Sequence, residues 1–273
     1  MHLFLQNLEQ QLKETYNIYY KMISLISLLK EAINKPKAIF LAGPAGSGKT
    51  TTVKNLGLQG FTTINIDDTY EELLKKSGLG TNVKDFGPEE LSQAAKMMAQ
   101  AQKITKEKYA ELTQSLKNVI IDGTGAAANP LLKKKKELED LGYETLLLMV
   151  YVSPMVSLER NKNRDRSLPP GIVLKSWRGV NQNIETFKQA FGDNFILINN
   201  NPEDSMDFDL DLIKKKYFDT SKGSGKPKSP EEIAKSQEEK NQFNRDIEDL
   251  VKNKPDFTSP ESVKNIINTF ING

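Results

Sequence analysis

Hydrophobic and polar positions along the chain follow two patterns: short, continuous apolar runs, and longer stretches where apolar residues return every third or fourth position. Residues 1–34 show the second pattern. Leu5, Leu8 and Leu12, then Tyr19, Met22, Ile23 and Ile26, recur at helical spacing until Pro36 ends the segment. Such a face needs a partner surface, and the domain that follows is the expected one. Lys37 to Ala42 (KAIFLA) is then a short apolar run ending at Gly43, the signature of a buried parallel strand. A helix is predicted from Lys49 to about Asn55, and a second strand over Phe61 to Ile66 (FTTINI). Glu71 to Lys76 is helical in pattern, and Gly78 and Gly80 break it. Pro88-Glu89-Glu90 opens a long Ala-, Gln-, Lys- and Met-rich helix to about Leu116, either a wall on the acceptor side of a cleft or a plain amphipathic helix.

Asn118 to Asp122 (NVIID) predicts the third strand, and Pro130 opens a helix through Leu141 whose Lys133–Lys136 run is a solvated face. Thr145 to Val152 (TLLLMVYV) is apolar throughout its middle and therefore central. Helices over Pro154 to about Asn163 and Ile172 to Ala190 follow, and Asn194 to Ile198 is the last strand. This alternation predicts an α/β fold, a parallel sheet covered by helices on both faces, over residues 37–201. The flanks, 1–36 and 202–273, are helical additions. The first is expected to pack on the core. The second contains a linker near 220–230 (KGSGKPKSP) and is expected to be separable, with a short terminal helix from Ser259-Pro260-Glu261 to about Phe270.

Composition removes several chemistries. With no Cys among 273 residues, disulfides, thiol nucleophiles and Cys-based zinc sites are excluded. The one His is His2, at the terminus, so proton transfer falls to Asp, Glu, Lys or Tyr. A net charge of +2 points to neither a nucleic-acid coat nor a membrane surface. The most apolar stretch, Ile18 to Ile33, is interrupted by Lys21 and Lys30, so no membrane span is expected. Without cysteines or an export signal, the cytoplasm is the expected compartment.

Gly43-Pro44-Ala45-Gly46-Ser47-Gly48-Lys49-Thr50 matches G-x-x-x-x-G-K-[ST] between a predicted strand and a predicted helix, which is the context a phosphate-binding loop requires. Backbone N–H groups from Gly43 to Thr51 would cradle the phosphates of ATP. Lys49 would reach the β- and γ-phosphates, and the Thr50 hydroxyl would ligate Mg²⁺. Asp67 and Asp68 end the second predicted strand, where ligands bind in open α/β sheets. Asp67 is assigned to proton acceptance and Asp68 to capping the next helix. Asp122 ends the third strand and is a candidate Mg²⁺ ligand, with turn chemistry before Gly123-Thr124-Gly125 as the alternative. Four of the five arginines, Arg160, Arg164, Arg166 and Arg178, fall between positions 160 and 178. Either they form a lid over phosphate oxygens or they are a solvated helix face.

GPAGSGKTT, FTTINIDD, NVIIDGTG and RNKNR, in that order, resemble the P-loop kinase group that includes the 5′-polynucleotide kinases and the zeta-toxin-type kinases. The resemblance covers about residues 37–190. It implies a nucleoside-kinase-like P-loop fold and ATP- and Mg²⁺-dependent transfer to a hydroxyl, either of a polynucleotide 5′ end or of a nucleotide-like small molecule such as a nucleotide sugar. It further implies Asp67 as general base, Lys49 and Thr50 on nucleotide and metal, and Arg164 as the lid arginine. Two departures concern the acceptor. Tyr70 stands where polynucleotide kinases carry an arginine for the acceptor's 3′-phosphate, and the acid after the third strand is shifted by one, with Gly123 in its place. The different-class alternative is an ATPase switch without an acceptor that uses its helical flanks to bind a protein partner.

Overall fold

A computed structural model describes residues 2–33, 35–81, 86–164, 167–202 and 230–272, leaving aside the side chains of 2–9, 26–33 and 230–236. Five strands form one sheet: β1 (Lys37–Ala42), β2 (Thr62–Ile64), β3 (Val119–Asp122), β4 (Glu144–Tyr151) and β5 (Phe195–Asn199). They are all parallel, in the order β2-β3-β1-β4-β5. The chain moves outward from β1 to β2, returns to β3 and then crosses β1 to β4. The direction therefore reverses beside β1 and β3, and the carboxyl ends of those strands border the crevice where such sheets bind ligands.

The period-two alternation of β side chains assigns each residue to a face. Ala38, Phe40, Leu147, Met149 and Leu197 enter one buried cluster, while Ile39, Leu41, Leu146, Leu148 and Ile196 enter the other. On the first face lie α5 (Ala128–Asp140), α7 (Pro170–Gln182) and α8 (Ile184–Phe191), contributing Leu138, Trp177 and Phe187. Trp177 is fully buried and donates its indole N–H to the Val152 carbonyl at 2.7 Å. A separate small core, of Tyr70, Leu74, Ala94 and Ala101, joins α3 (Ile66–Lys76) to α4 (Pro88–Gln114).

Both flanks differ from expectation. In α1 (His2–Ile33) every side chain from 10 to 25 is exposed, Leu12, Tyr16 and Ile18 by more than 60%. The expected packing on the domain is absent over that stretch because other elements already cover both sheet faces. The carboxyl-terminal helices, expected to be separable, supply that cover. Ile247 of α9 (Pro230–Lys252) is buried in the first cluster. Val263, Ile267 and Phe270 of α10 (Pro260–Asn272) are buried in the second. Lys37, itself buried and paired with Glu144, lies 5.4 Å from the centre of the Phe270 ring. The linker expected at 220–230 falls on or beside residues outside those described.

Burial of this kind makes α10 structural. Phe270→Ala is expected to lower the unfolding free energy by about 3–5 kcal/mol, measured by urea denaturation. A loss below about 1 kcal/mol would show that α10 rests on the sheet without holding it.

Candidate active site

The loop after β1 is built to present backbone. Gly46 and Gly48 hold φ of 76° and 87°, a left-handed conformation that side chains resist. A Cβ on Gly46 would also stand 2.8 Å from the Ser157 carbonyl, with no room for it, and one on Gly48 would push against the Asn200 side-chain amide. Three successive carbonyls are held from behind. Ser157 Oγ donates to Ala45 O at 2.6 Å, Arg160 Nη1 to Gly46 O at 3.4 Å and Asn200 Nδ2 to Ser47 O at 2.7 Å. In planar trans peptides those bonds turn the N–H groups of Gly46 and Gly48 to the opposite side, while Ser47 N–H closes a turn on Pro44 O. The next residue begins α2 (Lys49–Asn55), whose amino-terminal dipole adds to the attraction for an anion.

Lys49 donates to the Gly43 carbonyl at 2.8 Å, at the mouth of the loop. Burial holds its ammonium below the usual lysine range; the Asp122 charge opposes this, the Arg164 charge adds to it, and Asp67 opposes it again. The β1–β3 register sets Asp122 beside Leu41. Gly123 N–H to Leu41 O (3.3 Å) and Gly43 N–H to Thr124 O (2.9 Å) continue that link into the two loops. Burial raises the Asp122 carboxyl, Lys49 pulls it down, and Asp68 and Asp67 push it up again. Asn65 donates to Asp122 Oδ2 at 2.8 Å, whereas the buried Oδ1 has no hydrogen-bond partner. The charges of Asp122, Arg164 and Asp67 thus all act on Lys49 at the carboxyl end of the sheet.

An orphaned carboxylate oxygen beside the phosphate loop suits a cation. No group of three or more potential acidic or histidine ligands exists among the described residues. Asp122, together with the Thr50 hydroxyl, phosphate oxygens and water, would make the all-oxygen set that Mg²⁺ takes.

Asp67 and Asp68 both lie in the first turn of α3, which starts earlier than expected. The cap is Asn65, whose Oδ1 accepts the Asp67 N–H at 2.8 Å. Asp68 is therefore not the cap; its carboxyl is raised by burial, then by Glu71, Asp67 and Glu72, against Lys108. Both residues are exposed. Tyr70, at the position of the polynucleotide kinases' arginine, is only 4% exposed and packs in the α3–α4 core.

The arginines separate. Arg160, on α6 (Pro154–Lys162), braces the loop from behind and also donates to Asn200 O at 3.1 Å. Arg164 is exposed just beyond α6, close enough for its charge to act on Lys49. Arg178 is paired at 3.1 Å with Asp246 of α9 and stacks 4.6 Å over Phe243, so in this structure it anchors α9. Arg166 lies outside the described residues. Ser157, Asn200 and Asn65 were not foreseen as site residues; the run Asn199-Asn200-Asn201 at a strand end was the one signal for Asn200.

Several solved structures are similar in fold. The PezAT chromosomal toxin–antitoxin system of Streptococcus pneumoniae matches at 19% identity, with 79% of this chain, 88% of that one and a TM-score of 0.44. The Pnkp1/Rnl/Hen1 RNA repair complex matches at 17%, with 56% of this chain, 46% of that one and a TM-score of 0.43. The AvrRxo1-ORF1:-ORF2 structure with ATP matches at 13%, with 88% and 82% covered and a TM-score of 0.48. No curated protein matches the chain in sequence. The sequence model of the zeta toxin family matches residues 25–212, more than half of the chain and the whole of the sheet with its phosphate loop, and the chain belongs to that family.

Proposed function

We propose that the protein is a phosphotransferase that moves the γ-phosphoryl group of ATP to a hydroxyl of a nucleotide-like small molecule, a nucleotide sugar being the leading class. The carrying observation is the phosphate loop with its carbonyls tied back and Lys49 at its mouth, within electrostatic reach of Asp122, Asp67 and Arg164. The loop N–H groups and Lys49 bind the β- and γ-phosphates, and Thr50 and Asp122 would hold Mg²⁺, which offsets phosphate charge when bound. Asp67 accepts the proton of the acceptor hydroxyl as its oxygen attacks phosphorus. Arg164 meets the charge that spreads over the transferring group, and ADP leaves.

Family membership supports a kinase-type enzyme, and the buried Tyr70 supports a small acceptor over a polynucleotide end, since no arginine stands there for a 3′-phosphate. The test is transfer from γ-labelled ATP to nucleotide sugars, nucleosides and 5′-hydroxyl oligonucleotides, with ADP release followed in parallel. Label is expected on a small nucleotide-like acceptor, with ADP release dependent on it. Label on oligonucleotides alone would overturn the acceptor class. ADP release indifferent to every acceptor would replace the transferase with an ATPase switch.

A further inference from the structure

Strand pairing sets Asn65 beside Asp122. In the parallel β2–β3 pair Ile64 lies opposite Ile121, so the next residues, Asn65 and Asp122, leave those strands side by side. On its other side Asp122 pairs with Leu41, where β1 runs into the phosphate loop. The half-buried Asn65 side chain works at both ends. Its Oδ1 accepts the Asp67 N–H at 2.8 Å, and its Nδ2 donates to Asp122 Oδ2 at 2.8 Å. Its backbone is held as well: the Asn65 carbonyl accepts the Thr69 hydroxyl at 3.1 Å, and Thr105 of α4 donates to that hydroxyl at 3.2 Å. One amide thus joins the first turn of α3 to the carboxylate that ends β3. Asp122 Oδ1 is left as the oxygen without a hydrogen-bond partner among the described residues.

We propose that Asn65 is a positioning residue for Asp122: it occupies one carboxylate oxygen, keeps the other for a divalent cation, and fixes that carboxylate relative to the turn that carries Asp67. Both partners call for an amide. The Asp67 N–H can only donate, so it takes the amide oxygen; the Asp122 carboxylate accepts, so it takes the amide N–H. Serine would cap the helix but supply no N–H toward Asp122. Aspartate would also cap it, yet would face Asp122 with a second acceptor. Groups that hold a metal-binding carboxylate in this way are typically worth ~10- to 100-fold in metal affinity or activity. The phosphate loop has its own supports in Ser157, Arg160 and Asn200, so binding of ATP without metal should not depend on Asn65.

This inference rests on the proposed role of Asp122 in holding Mg²⁺, and its test needs no acceptor. ATP affinity of the full chain is measured by calorimetry with Mg²⁺ present and with Mg²⁺ chelated. Wild type is expected to bind ATP more tightly with Mg²⁺. N65S should lose about tenfold of that gain, with its metal-free affinity within about twofold of wild type. In a D122A background N65S should cost little more, because the two residues act as one unit. Hydrogen exchange at the Asp67 amide should stay within about threefold of wild type, since serine retains the cap. If N65S does not fold, N65D keeps the cap and the length, and the same loss is expected. A Mg²⁺ gain equal to wild type would reduce Asn65 to a helix cap and overturn the assignment. So would equal losses with and without Mg²⁺, or full additivity with D122A. A wild type indifferent to Mg²⁺ would remove the role of Asp122 and this inference with it. Transfer to no acceptor, with the Mg²⁺ results as expected, would overturn the proposed function and leave the role of Asn65 standing.

Discussion

Asp67→Asn is expected to reduce transfer by on the order of 100- to 10,000-fold while leaving ATP affinity within a few-fold of wild type. Asn matches Asp in size and keeps a hydrogen-bonding carbonyl, but it cannot take a proton from the attacking hydroxyl. The α3 amino terminus stays capped, because the cap is the Asn65 side chain on the Asp67 backbone N–H, which the substitution preserves. The control is Asp68→Asn. Asp68 sits one residue further into the same turn, its carboxyl already raised by burial and by Glu71. Steady-state kinetics with saturating ATP compare the two. If Asp68→Asn abolishes transfer and Asp67→Asn does not, the base is Asp68.

Lys49→Ala is the second large effect. Losing the ammonium at the β- and γ-phosphates is expected to cost on the order of 3 kcal/mol in transition-state stabilisation, or ~100-fold in rate. The fold should survive, because Lys49 makes its hydrogen bond to the loop itself and its ammonium is disfavoured by burial. A second consequence follows at Asp122. Lys49 is the main influence holding that carboxyl down against burial, Asp68 and Asp67. Without Lys49 the carboxyl rises further, and the variant should need more ATP. Turnover like wild type would remove the loop after β1 as the working nucleotide site.

The parts of this molecule that were legible in its sequence are those governed by neighbours along the chain. KAIFLA followed by a glycine-rich loop and Lys-Thr requires a buried strand, a tight phosphate loop and a helix, and β1 and α2 lie there. Asp122 could be placed at a strand end from NVIID alone, and β3 ends on it. What could not be read depends on partners distant in sequence. The Ile172–Ala190 helix is two helices separated at Asn183, whose side chain reaches across to the Gly125 carbonyl at 3.0 Å. Arg178 belonged by spacing to a phosphate-seeking cluster, yet Asp246, 68 residues later, takes it. The loop's rear supports, Ser157 and Asn200, are ordinary polar residues whose task depends on the fold that brings them behind Ala45 and Ser47.

The seating of α10 sets a timetable for the nascent chain. β5 ends at Asn199 and α10 at Asn272, so about 70 residues must still be made after the last strand is synthesised. At roughly 5–20 residues per second that interval lasts several seconds. Throughout it all five strands exist, yet the apolar face of Ile39, Leu41 and Ile196 lacks the side chains of Val263, Ile267 and Phe270. A stop codon in that stretch would release a sheet with one face only partly covered, by Val53, Leu56 and Leu58, a species suited to chaperone capture or aggregation and not a smaller working enzyme.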